Sequence, residues 1–267
     1  CDGLRREDGK KVPLILNGDD PYLRGAQLPD WVEPVWCGIQ DENCRIRAVD
    51  IRHEERGERF TIRDEELGLF EAFIPTVGLH AVQDALFAYA AAVTRPDAGR
   101  ADALEAAAAL ADYQAAGMRQ RLVEKGGVKV LEDCYNAAPE SVQAALDTLP
   151  LLTQSGGRRM ALLGDMKELG TDTVALHRAV GAVCAGQLDC LWTVGALGAE
   201  IAAGARDAGM SRVQALYPAG DPDAEAVAAE ILTGLAPGDT LLIKASRAMH
   251  LETVAEALLR GLMQGNL

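Results

Sequence analysis

The run Glu132-Asp133-Cys134-Tyr135-Asn136-Ala137-Ala138-Pro139-Glu140-Ser141 sets a carboxylate, a phenol and an amide in one short segment. It follows a strand-like apolar run, Val128 to Leu131, and leads into an amphipathic helical pattern. In an open α/β sheet, ligands bind beyond the carboxyl ends of the strands, so these groups stand where chemistry is done. Asp133 is an acceptor suited to ribose hydroxyls, and Asn136 both donates and accepts. The same residue types form Asx turns and helix caps, and the local sequence leaves both readings open. Two further strand ends carry polar groups. Gly164-Asp165-Met166 closes the run Met160 to Leu163, with His177 on the helix that follows, and Asp165 suits either a ligand contact or a cap. Lys244-Ala245-Ser246-Arg247 closes Thr240 to Ile243, and two cations with a hydroxyl can hold a carboxylate there. A solvated pair at a helix entrance is the alternative. Ala245 matters if that backbone needs a positive φ, which Gly adopts and Ala does not.

Other candidates lie earlier in the chain. Arg119, in Gly117-Met118-Arg119, can reach phosphate or stack on a base, with a solvated surface charge as the alternative. His80 and Asp84 fall at a helix start, and Asp84 accepts but does not donate unless protonated. Asn17-Gly18-Asp19-Asp20-Pro21 has turn chemistry of its own. Neither a GxGxxG turn nor a GxxxxGK[ST] phosphate loop occurs.

Residues 12 to 80 read as strands: Val12 to Leu16, a stretch near Trp36 to Ile39, Arg45 to Ile51, Arg59 to Ile62 and Leu69 to Ile74, the last three as an antiparallel meander. Helical patterns cover His80 to Thr94 and Ala101 to Ala115, separated by Arg95-Pro96-Asp97-Ala98-Gly99. After residue 118, strand and helix alternate: helices begin at Pro139, Val174, Leu197, Asp223 and Met249, with strands at Leu191–Val194 and Val213–Leu216 between the runs named above. Such repeated βα units predict an α/β fold with a Rossmann-like, doubly wound parallel sheet in residues 118–267, preceded by mixed strands and helices in residues 1–117. The boundary is expected near Gly117.

A net charge of -14 and a pI near 4.7 argue against a nucleic-acid surface. No apolar run approaches the ~20 residues of a membrane helix and no signal-peptide core precedes the first strand, so a cytoplasmic protein without membrane insertion is expected. The cysteines, Cys1, Cys37, Cys44, Cys134, Cys184 and Cys190, form no CxxC pair and predict neither a disulfide scaffold nor a zinc site. They read as reduced, mostly buried thiols.

Taken in order, these motifs resemble the Mur ligase family, from Asn17 to Glu252. The first turn is similar to Asn-x-Asp-Asp-Pro; Gly78 to Leu86 is similar to a His-Asn-x-x-Asn helix start, with Ala81 and Asp84 in place of both Asn residues. Tyr135-Asn136-Ala137-Ala138-Pro139 resembles Tyr-Asn-Ala-Asn-Pro, with Ala138 at an expected N-cap, and Lys244-Ala245-Ser246-Arg247 resembles Lys-Gly-Ser-Arg. The resemblance implies nucleotide contacts at Asp84, Arg119, Asp133 and Asn136, and substrate contacts at Tyr135, Asp165, His177, Lys244, Ser246 and Arg247. It implies ATP and Mg2+ as cofactors, held mainly by a part ahead of Cys1 that includes the phosphate loop. The expected reaction passes through an acyl phosphate of UDP-MurNAc-tripeptide to an amide with D-alanyl-D-alanine, in a monomer. Residues 1–117 are then the distal part of the central ATP-binding domain and 118–267 the carboxyl-terminal domain, inactive alone. A degenerate binding module, suggested by Ala81, Asp84, Ala138 and Ala245, and a sister ligase taking another amino acid are the alternatives.

Overall fold

The computed structural model describes residues 10–54, 56–114, 119–217 and 223–264. Two compact units divide the chain, Cys1–Gln114 and Ala115–Leu267. The boundary expected near Gly117, with Met118, falls outside the described residues.

The first unit runs β1 (Val12–Asn17), α1 (Pro21–Arg24), β2 (Val32–Gly38), β3 (Ile46–Glu54), β4 (Gly57–Asp64), β5 (Gly68–Ile74), α2 (Leu79–Val93) and α3 (Arg100–Ala109). Its sheet has the order β1-β2-β3-β4-β5. β3, β4 and β5 form the expected antiparallel meander, while β1, β2 and β3 pair in parallel. Along β4, Phe60 and Ile62 are buried and alternate with the exposed Arg59 and Arg63, the period-2 pattern of a sheet with one covered face. The cover is α2, whose Val82, Leu86, Tyr89 and Val93 join that core. The Asp64 carboxylate, buried beneath it, accepts from Glu66 and Leu67 N–H and from the Tyr89 hydroxyl. The expected helix from Ala101 to Ala115 ends at Ala109, followed by a single 3-10 turn to Asp112. Beyond Leu110 the alanine run has no buried stripe, and packing rather than propensity sustains a helix.

The second unit runs β6 (Arg121–Lys125), β7 (Val128–Asp133), α4 (Pro139–Leu152), β8 (Arg159–Leu163), α5 (Thr173–Gln187), β9 (Cys190–Val194), α6 (Gly198–Asp207), β10 (Val213–Leu216), α7 (Ala224–Gly234), β11 (Thr240–Lys244) and α8 (Glu252–Met263). Strand order is β10-β9-β8-β11-β7-β6, parallel except for β6. Sequence reading missed β6. Its signal was Gly126-Gly127, both at positive φ, the turn that closes a two-residue hairpin. β11 is buried at every position because helices cover both faces. The crossovers through α4, α5 and α6 all step toward β10, whereas the one through α7 returns to β11. Right-handed connections therefore put α7 on the opposite face, where it packs with α8 over Val227, Ile231, Val254 and Leu258.

Candidate functional site

Helices that follow neighbouring β8 and β11 leave on opposite faces of the sheet, so the carboxyl ends of these strands form the switch point at which such folds usually place their ligand crevice. β7, β11 and β8 lie side by side, and the register pairs Lys244 with Asp133 on the last rung. The Lys244 ammonium forms an ion pair with the Asp133 carboxylate and donates at 2.9 Å to the Asn136 carbonyl. Lys244 is 2% exposed and Asp133 7%. The resemblance assigned Asp133 to nucleotide and Lys244 to substrate; the structure joins them in one pair that holds the β7–α4 turn. Aligning the strand ends by register would have revealed it.

That turn displays its side chains outward. Tyr135 is exposed, and the Arg119 guanidinium lies 4.1 Å from its ring centroid, a cation–π stack. Asn136 is exposed too, its Oδ1 accepting from Ala137 N–H at 2.9 Å. Ala138 is the N-cap of α4, in extended conformation ahead of Pro139. It offers no side-chain acceptor, but the Ser141 hydroxyl accepts from Ala138 N–H at 3.0 Å, half of a capping box. Cys134 between these residues is buried, and burial pushes its thiol up to about 12, helped by Glu132, Glu252 and Asp133. It is an inert packing group.

The β8 and β11 loops are stitched together. Asp165 Oδ1 accepts from Leu197 and Gly198 N–H at 3.0 and 2.8 Å, capping α6, while Oδ2 accepts from Lys167 Nζ at 2.8 Å. Ser246 Oγ accepts from Lys167 N–H at 2.8 Å, and Ser246 N–H donates to the Asp165 carbonyl at 3.1 Å. Asp165 and Ser246 are 4% and 5% exposed, but the Lys167 side chain is 45% exposed. Lys167 is thus the half-open cation of this crevice, and sequence reasoning missed it. In an extended segment, positions two apart share a face, which would have aligned Lys167 with Asp165. Arg247 is exposed just beyond, on the 3-10 turn Arg247–Met249. His177 is fully buried, with Nε2 accepting from Met166 N–H at 2.9 Å and Nδ1 2.6 Å from the Thr173 carbonyl. It faces the loop rather than the crevice. Ala245 keeps an ordinary φ, so the expected need for Gly there does not arise. Instead its buried Cβ fills the space beside Gly164, where an added Cβ would stand 2.8 Å away.

In the first unit, Asp19 accepts from Ile39, Gln40 and Asp41 N–H, and Asp20 caps α1 through Tyr22 and Leu23 N–H. The structural reading of that turn holds. Gly78, at the head of α2, donates to the buried Glu58 at 2.8 Å. Ala81 is buried in the core, whereas Asp84 is exposed. The protein packed beside Asp84 raises its pKa, with His80 opposing the rise. Among the described residues, no three or more His, Cys, Asp or Glu side chains are grouped to hold a metal ion.

A doubly wound unit with polar strand ends at the switch point, following a mixed sheet with its own helical cover, is the arrangement found in Mur ligases, and the second unit carries the carboxyl-terminal domain of that family. Residues 118–247 match the family described as Mur ligase, glutamate ligase domain. The chain is 32% identical over 257 residues to the UDP-N-acetylmuramoyl-tripeptide–D-alanyl-D-alanine ligase of Bacillus subtilis, covering 95% of this chain and 52% of that protein. It is 31% identical over 274 residues to the ligase of the same name from Mycobacterium tuberculosis, covering 92% and 50%. The fold is that of the MurF ligase from Thermotoga maritima in complex with ADP, with TM-score 0.75 and 22% identity over 96% of this chain and 55% of that one. It is likewise that of MurF from Acinetobacter baumannii, with TM-score 0.74 and 24% identity over 94% and 52%. The chain spans about half the length of the curated relatives it matches.

Proposed function

We propose that the whole protein is an ATP-dependent, cytoplasmic and monomeric ligase that joins D-alanyl-D-alanine to UDP-MurNAc-tripeptide through an acyl phosphate. The observation that carries this reading is the crevice at the ends of β8 and β11, where a half-exposed Lys167 stands over the buried Asp165 and Ser246. An ammonium held by a neighbouring carboxylate is a ready partner for an incoming dipeptide carboxylate, with Arg247 as a second exposed cation nearby. Likeness to relatives that carry this activity in their names supports the substrate pair. Tyr135 with Arg119 across its face offers a flat cationic surface for a nucleobase, and Asn136 offers a further polar contact in the same unit. Asp84, in the first unit, is proposed separately as a nucleotide contact. On this reading residues 1–117 are the distal part of the central ATP-binding domain and 118–267 the carboxyl-terminal domain. ATP supplies the phosphoryl group that activates the tripeptide carboxylate, with Mg2+ as the ion that accompanies its phosphates. The work of these residues is positioning: bringing an amine to an activated carbonyl accelerates amide formation by orientation alone.

Mass spectrometry tests the proposal. Full-length protein given ATP, UDP-MurNAc-tripeptide and a panel of single amino acids and dipeptides should form the pentapeptide product with D-alanyl-D-alanine alone. Product from a single amino acid in preference to the dipeptide would replace this reading with a sister ligase, and no product from any amine would favour a binding module.

A further inference from the structure

The peptide unit between Asp165 and Met166 is held from both sides. Its carbonyl accepts from Ser246 N–H at 3.1 Å, and its N–H, which in a trans peptide points the opposite way, donates to His177 Nε2 at 2.9 Å. A backbone N–H can only donate, so Nε2 carries no proton. The Thr173 carbonyl, 2.6 Å from Nδ1, can only accept, so the ring proton sits on Nδ1. The imidazole is fully buried with both nitrogens engaged, and it touches no open surface of the crevice.

What it does touch is the segment that carries Asp165 and Lys167. Resting on the ligase reading above, we propose that His177 is a positioning residue for the amine substrate, its bare Nε2 fixing the Asp165–Met166 peptide and thereby the Lys167 ammonium that receives the dipeptide carboxylate. Without that acceptor the Met166 N–H is a buried donor with nothing to bond, and the peptide must turn to find a partner. Turning it breaks the Ser246 N–H contact and moves the flanking side chains, so Asp165 leaves the α6 amides and Lys167 leaves Asp165. Glu168, immediately after, sits at a φ of 66°, the left-handed region that a non-Gly residue rarely adopts, so this segment is held in a demanding conformation.

The test has two parts. Long-range 1H–15N NMR of the unaltered chain reads the tautomer; a proton on Nδ1 with bare Nε2 is expected, and a proton on Nε2 overturns the proposal. In the full-length protein, His177→Leu removes the acceptor while keeping an apolar bulk. The KM for D-alanyl-D-alanine should rise about tenfold, with the KM for ATP and kcat changed by less than about twofold. His177→Gln, whose Oε1 can accept from Met166 N–H, should restore most of the loss. Unchanged dipeptide KM in His177→Leu, a uniform fall in kcat, or a Gln variant no better than the Leu variant contradicts the proposal. If His177→Leu does not fold, the tautomer and the Gln kinetics decide. Wild-type protein that makes no product refutes the ligase reading instead, and the tautomer still reports on the peptide clamp.

Discussion

At the scale of single residues, the decisive feature is how few of the polar groups at the strand ends are free. Lys244 and Asp133 neutralise one another under the β7–α4 turn, both nearly out of water. A buried pair of this kind adds little net stability over an apolar pair, yet removing one partner leaves an uncompensated charge. Lys244→Met should therefore cost about 3 kcal/mol in urea unfolding, and Lys244→Met with Asp133→Asn should regain most of it. A single-variant loss below about 1 kcal/mol would mean that Asp133 finds solvent or another donor. Much of this was legible in part. Asp133, Asp165, Lys244 and Ser246 stand out in the sequence as strand-end polar residues, and they do gather at the carboxyl ends of three adjacent inner strands. Which of them bond one another depends on strand order, and a sequence does not display the order β8-β11-β7.

At the scale of elements, the strand alternation and the apolar βα repeats were readable because burial on one or two faces imposes a period. β6 was not, since its Arg121-Leu122-Val123-Glu124-Lys125 is an exposed edge with charged residues that carry no core signal. The end of α3 was overread for the opposite reason: alanine favours helix everywhere, and only packing says where to stop. The join between β8 and β11 is tight enough to test. Gly164→Ala sets a methyl 2.8 Å from the Ala245 Cβ, in a fully buried place between adjacent strands. About 1–3 kcal/mol of destabilisation is expected, and Ala245→Gly should relieve it when the two are combined. Additive losses in that double-mutant cycle would show that the strain lies elsewhere.

At the scale of the whole molecule, both units bury thiols whose ionisation opposes folding. Burial pushes Cys37, Cys134 and Cys184 up to about 12 from an ordinary 9.0. A raised folded pKa means that the native state holds the proton more tightly. The stabilisation is thus complete below pH 9.0 and is lost as the pH climbs toward about 12. Urea midpoints should be level below that window and decline within it, and midpoints flat across the whole range would contradict the burial of these groups. On the proposed reading, capture of the dipeptide rests on the half-exposed Lys167 ammonium in the loop that follows β8, beside the loop that follows β11. Steady-state kinetics of the full-length protein with Lys167→Met measures that dependence most directly. The account predicts a KM for D-alanyl-D-alanine raised at least about tenfold, with the KM for ATP within about twofold of the unaltered enzyme. An unchanged dipeptide KM, or an equal rise for both substrates, would contradict it.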